Sequence, residues 1–135
     1  MTPTQMLHST MPLCATLGIR ALSITAESVE LELDWNEPLC TSNAMLHGGA
    51  LMALADAAGG ACAFANLPGG AVATSTIESK TNFLRAVTDG TVRAVARPLH
   101  VGSTTIVVET EIRRVSDNKL VVKTTQTQAV LRPRS

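Results

Sequence analysis

The chain has no tyrosine, one tryptophan and two phenylalanines among its 135 residues. A core built almost without aromatics must rest on aliphatic side chains. The stacking platforms on which proteins hold single-stranded nucleic acid are missing as well. Neither sign of charge is in excess: Lys plus Arg is 11, Asp plus Glu is 11, and the formal net charge is zero. Without a basic stripe to follow a phosphate backbone, no nucleic-acid partner is expected. The three cysteines, Cys14, Cys40 and Cys62, show no C-x-x-C or metal-ligand spacing. An odd count without a framework fits a reducing compartment. Met1 to Thr10 lacks the basic region and apolar core of a secretory signal, so the expected location is cytoplasmic. The length suits one domain, residues 1–135, with a sizeable core.

What the chain does have is one long apolar run. From about Gly49 to Ala65 every residue is Ala, Gly, Leu, Met, Cys or Phe, except Asp56 in the middle. An isolated carboxylate in apolar surroundings must find partners or change its protonation. The run is roughly 17 residues long, at the low edge of what spans a bilayer. Its central acid and three glycines favour a buried helix of a soluble protein, with no membrane partner.

Around this run the pattern is mostly strand. Residues 1–20 start irregularly, with Pro3 and Pro12 read as breakers and a short helix from Met11 to Leu17 ending at Gly18. Ile19 to Trp35 reads as one strand. Its second half places Val29, Leu31, Leu33 and Trp35 on one face and Glu30, Glu32 and Asp34 on the other. Leu39 to Leu46 is a loop, the apolar helix follows, and Asn66-Leu67-Pro68-Gly69-Gly70 stops it. Strands are then expected over Val72–Leu84, Thr91 to about Pro98, Thr104–Val115 and Leu120–Leu131. Turns at Thr88-Asp89-Gly90, Gly102-Ser103 and Ser116–Lys119 separate them, and Arg132–Ser135 frays. The class is α+β: a curved antiparallel sheet wrapped around one long buried helix. A helix apolar on nearly every side needs more cover than one sheet face offers, which points to pairing with a second copy.

Three motifs give this order a family likeness. Asn43-x-x-x-His47-Gly48-Gly49, then Leu54-x-Asp56, then Asn82-Phe83-Leu84-Arg85 resemble the hotdog-fold acyl-CoA thioesterases, nearest the phenylacetic-acid-degradation (PaaI-like) subgroup. The similarity runs from about residue 13 to 131. It implies hydrolysis of acyl-CoA thioesters of small to medium, including aromatic, acyl groups, without a metal or other cofactor beyond the coenzyme A of the substrate. It implies Asp56 as nucleophile or general base, and the Gly48 backbone N–H on the thioester carbonyl. His47 would orient that loop or touch the thioester, and Asn43 would place the carbonyl or water. A hydroxyl on the strand after the helix would position water, at Thr76 with Ser75 as the alternative. Gly49 and Arg85 would contact the coenzyme A moiety, with Arg97, His100, Arg113 and Arg114 as further phosphate candidates. The implied assembly is a homodimer with shared sites, and a homotetramer beyond it.

The residues support part of this without the family. The first N–H groups of a helix have no intrahelical partner and carry partial positive charge. Glycines at 48 and 49 leave them accessible to a carbonyl oxygen. Asp56 lies eight residues further on, roughly 12 Å along the axis. One chain's Gly48 and Asp56 therefore do not meet on one carbonyl, and a site shared between two chains answers the distance. Plainer readings exist for each residue. Asp56 could be a structural acid bonded to strand hydroxyls, His47 a helix cap, Gly48 and Gly49 packing contacts. Gly59 and Gly60 read as letting a strand approach the helix, His8 and His100 as surface residues, and Cys62 as core. No serine lies in a G-x-S-x-G elbow. The competing functions are a non-catalytic acyl-CoA-binding module and an enoyl-thioester hydratase or dehydratase of the same fold, pairing His47 with Asp56.

Overall fold

The computed structural model describes residues 1–134; Ser135, the last residue of the expected frayed tail, lies outside the described residues. In chain order the elements are α1 (Pro3–Thr10), α2 (Pro12–Leu17), β1 (Arg20–Ile24), β2 (Val29–Asp34), α3 (Gly48–Ala65), β3 (Ala73–Phe83), β4 (Thr91–Val101), β5 (Thr105–Arg114) and β6 (Leu120–Leu131). The strands form one antiparallel sheet in the order β1-β2-β4-β5-β6-β3. The sheet curves around α3, which packs against strands β1 to β6. The expected α+β architecture is thus the observed one, and the apolar run is the helix at its centre.

Two expectations are corrected at the N-terminal end. Pro3 does not break structure; it occupies the first position of α1, where a missing N–H costs nothing. Thr2 and Gln5 close the start reciprocally, Gln5 N donating to Thr2 Oγ1 at 3.1 Å and Thr2 N to Gln5 Oε1 at 2.8 Å. The single strand expected over Ile19–Trp35 is a hairpin of β1 and β2. Its turn has no Gly, Pro or Asn. Thr25 supplies the turn chemistry, donating from Oγ1 to Ser28 O at 2.9 Å and accepting from Ser28 N at 3.2 Å. The tail is also less loose than expected, because Arg132 donates to Gly69 O at 2.8 Å and Ser103 O at 3.1 Å.

Alternation decides which face of each strand meets the helix. Val29, Leu31 and Leu33 of β2, Val92, Ala94 and Ala96 of β4, and Ile106, Val108 and Ile112 of β5 are all buried. Leu54, Ala58 and Cys62 of α3 are fully buried against this inner face. On the outer face Glu32 takes Arg93 Nη2 at 2.6 Å and Arg20 Nη2 at 3.1 Å, and Arg20 also pairs with Asp34 at 2.8 Å, so these two acids of β2 are paired across neighbouring strands.

The two sheet edges differ. At β1, Thr4 of α1 occupies the edge, accepting from Ala21 N at 3.0 Å and donating to Ala21 O at 3.3 Å. At β3, only the β6 side is paired among the described residues, and Ile77 at a bulge is 64% exposed. An open edge of this length is a template for another strand. Leu54 is the simplest probe of the core: Leu54→Ala should cost about 2–5 kcal/mol. Urea unfolding should show this as a lower midpoint at unchanged slope.

Candidate active site

The start of α3 is held in place before any ligand enters. Leu46 N donates to Val87 O and His47 N to Leu39 O, each at 2.9 Å. His47 is the cap residue, and its Nδ1 accepts the Gly49 N–H at 2.8 Å, so the ring hydrogen sits on Nε2. Ala50 N and Leu51 N both donate to His47 O. Of the first N–H groups of the helix, Gly48's has no acceptor among the described residues. Gly49 therefore does not offer its N–H to a ligand. Its lack of a side chain serves the cap instead, since a Cβ there would lie 3.0 Å from His47 Nδ1. The Phe83 ring, at the end of β3, lies 3.4 Å from where a Cβ of Gly48 would stand.

Asp56 is not buried within one chain, contrary to the expectation from its apolar neighbours. The sheet and the first two helices cover most of α3 but leave a stripe through Gly49, Met52, Asp56 and Phe64 exposed. The carboxylate is nonetheless held: Asp56 Oδ1 accepts from Gln126 Nε2 at 2.7 Å. The same Nε2 lies 3.4 Å from Thr76 Oγ1, which also accepts from Gln128 Nε2 at 2.7 Å. Asp56 and Thr76 are thereby brought together through Gln126 of β6, with Gln128 of the same strand holding Thr76. Ser75, the neighbour of Thr76 on an alternating strand, takes no part in these bonds.

The other expected residues stand apart. Asn43 sits in a left-handed turn (φ 62°, ψ 30°) on the exposed loop before the helix. Among the described residues no hydrogen bond ties its amide to His47 or Asp56. Arg85 is exposed and donates to Leu120 O at 2.7 Å, which anchors the connection after β3. Arg114 pairs with Asp117 at 2.7 Å, and Arg113 donates to Asn118 O at 3.1 Å. Arg97 and His100 lie exposed on β4.

Gln126 and Gln128 were missed by sequence reasoning. A signal was present, because they share the parity of Val122 on β6 and so had to face inward. Beside Thr76 and Gln128 opens a cavity of about 440 Å³, walled by Met6 and Met11 from the N-terminal segment and Phe64 and Ala65 of α3. The helix missed at the N-terminus is thus a wall of the site. Neither buried thiol is poised for attack. Burial pushes Cys62 up to about 11, and burial, then the Asp56 charge, raises Cys14.

A curved antiparallel sheet enclosing one central helix is the hotdog arrangement, and known proteins agree. A family model described as the thioesterase superfamily matches residues 43–121. The chain belongs to that superfamily. It is 36% identical over 100 residues to "Putative esterase ComA2" of Bacillus subtilis, covering 74% of this chain and 79% of that protein. The crystal structure of thioesterase HI1161 from Haemophilus influenzae superposes with a TM-score of 0.88 at 25% identity, covering 98% of this chain and 92% of that one. PaaI of Escherichia coli, from the phenylacetic acid degradation operon, superposes at 0.84 with 21% identity over 96% and 91% of the two chains, a likeness of fold.

The cysteine chemistry gives a direct check. A thiol near 11, against 9.0 for a free one, holds about a hundredfold less thiolate at pH 8. Alkylation by iodoacetamide followed by mass spectrometry should modify Cys62 at least about a hundredfold more slowly in the native protein than in urea.

Proposed function

We propose that the chain hydrolyses acyl-CoA thioesters, with Asp56 as general base on a water shared with the Thr76 hydroxyl. The observation that carries the reading is the junction of Asp56 and Thr76 at Gln126 Nε2, next to an apolar cavity. Asp56 Oδ2 and the Thr76 hydroxyl hydrogen have no protein partner among the described residues and can both bind one water. Asp56 takes a proton from the water as its oxygen attacks the thioester carbonyl. The tetrahedral oxyanion, which needs a donor, collapses with cleavage of the C–S bond, and the carboxylate and the thiol of coenzyme A leave. The free Gly48 N–H at a helix N-terminus is suited to the oxyanion, and such donors contribute about 3–4 kcal/mol by mutational precedent. The cavity of about 440 Å³ suits acyl groups of small to medium size, aromatic ones included.

Gly48 and Asp56 of one chain are separated by about two helical turns, roughly 12 Å. The reading therefore includes a homodimer in which Asp56 of one protomer faces Gly48 of the other. The open β3 edge and the exposed Asp56 stripe support it, since a second copy would cover both. Pairing of such dimers into a tetramer, coenzyme A phosphate contacts from Arg85, and a role for Asn43 across the interface belong to the same reading. So does a cytoplasmic setting that keeps the free thiols reduced. A hydratase with His47 as its base is less well supported, because the His47 Nδ1 lone pair is engaged by Gly49.

Coenzyme A release from benzoyl-, phenylacetyl- and octanoyl-CoA, read with a thiol reagent, tests the activity. Asp56→Asn should lower kcat by about 10²–10⁴-fold with the fold intact. An unchanged rate would remove Asp56 from the chemistry. For the shared site, Ile77→Lys on the open edge should sediment as a folded monomer and lose hydrolysis. A fully active monomer would refute the composite site.

A further inference from the structure

Two amides are buried where an apolar helix would pack equally well on aliphatic groups. Gln126 is fully buried and Gln128 is 2% exposed, both beneath α3. A buried amide is unfavourable unless its polar atoms are bonded. Gln126 meets that condition at one end. Its Nε2 donates to Asp56 Oδ1, while its Oε1 is buried without a partner among the described residues. The helix is also cut away to admit it. A Cβ on Gly59 would stand 1.7 Å from Gln126 Oε1, so any larger residue would expel the amide. For stability alone, an aliphatic residue at 126 and Ala at 59 would serve better, since Gly is a poor helix former and an unpaired buried oxygen is unfavourable.

We infer that Gln126 is the positioning residue of the Asp56 carboxylate, an inference that rests on the proposed thioesterase reading. Asp56 stands on the exposed stripe of α3, where an unheld side chain would sample several rotamers. The Gln126 N–H fixes Oδ1 and thereby sets where Oδ2, the oxygen without a protein partner among the described residues, must lie. Gln128 does the same for Thr76 through its 2.7 Å bond. Each of the two groups that would face the attacking water is thus held by a glutamine of β6. Gln126 touches neither water nor substrate in this arrangement. Its effect is on geometry, and errors of about 1 Å in such groups cost on the order of a hundredfold in rate.

Gln126→Met keeps length and volume and removes the donor. With the acyl-CoA turned over fastest by the wild type, kcat should fall about 10- to 100-fold while KM stays within about threefold. Val92→Ala, a core substitution on β4 with β5 between it and β6, should lower the melting temperature yet leave kcat within about twofold. Gly59→Ala displaces the Gln126 amide without changing it and should lose kcat likewise; it carries the test if Gln126→Met does not fold. A readout independent of turnover is the side-chain carboxyl carbon resonance of Asp56, identified by its absence in Asp56→Asn, which should shift in Gln126→Met. A kcat within about twofold of wild type in both variants, or an unmoved resonance, overturns the inference. If Asp56→Asn hydrolyses normally, or the wild type hydrolyses no acyl-CoA, the proposed function fails. The resonance then still reports whether Gln126 holds the carboxylate.

Discussion

Packing α3 inside the curved sheet is the constraint on which the rest depends. An 18-residue helix that is apolar almost all round can be covered by a six-stranded sheet on most of its surface, but not on all of it. Two short N-terminal helices extend the cover, and Thr4 of α1 closes the β1 edge. What is left open is the stripe through Met52, Asp56 and Phe64, along with the β3 edge. The candidate site lies where the cover runs out, and the second copy proposed to complete it would lie over the same opening.

Hydrogen-bond accounting then selects which groups in that opening remain available. At the helix start, His47 consumes the Gly49 N–H and offers its own carbonyl to Ala50 and Leu51, which leaves the Gly48 N–H without an acceptor among the described residues. In mid-helix, Gln126 takes one oxygen of Asp56, and Gln128 occupies an acceptor position of Thr76. The groups proposed to act on substrate are those left over once local backbone and core demands have been met. Glycine serves the two ends differently: at 49 it makes room for a cap, and at 59 for a buried amide.

Much of the fold was legible in order. The helix over 49–65 was one residue short at its start, and the alternation of Val29, Leu31 and Leu33 gave the inner face of β2 correctly. The turns before β4, β5 and β6 carry Gly, Asp or Asn and were placed from those residues. The failures have local causes. Pro3 reads as a breaker unless its place at the first turn of a helix is recognised, and the β1–β2 turn is made by threonine and serine side chains without a strong turn residue. Gln126 and Gln128 were passed over because glutamine is usually a surface residue, although strand parity placed them inside.

Residue chemistry and short-range periodicity were determined by the sequence itself: a lone acid in an apolar helix, a His-Gly-Gly before it, strands in a fixed order. These are properties of neighbours along the chain, within reach of one turn or one pleat. Whether Asp56 would be buried or exposed, which hydroxyl of Ser75 and Thr76 would join it, and which glycine N–H would stay free were decided only by the tertiary structure. Each depends on a strand or helix distant in the chain, with β6 reaching Asp56 across 70 residues. No local pattern encodes which side of a nearly uniform apolar helix a sheet will leave uncovered.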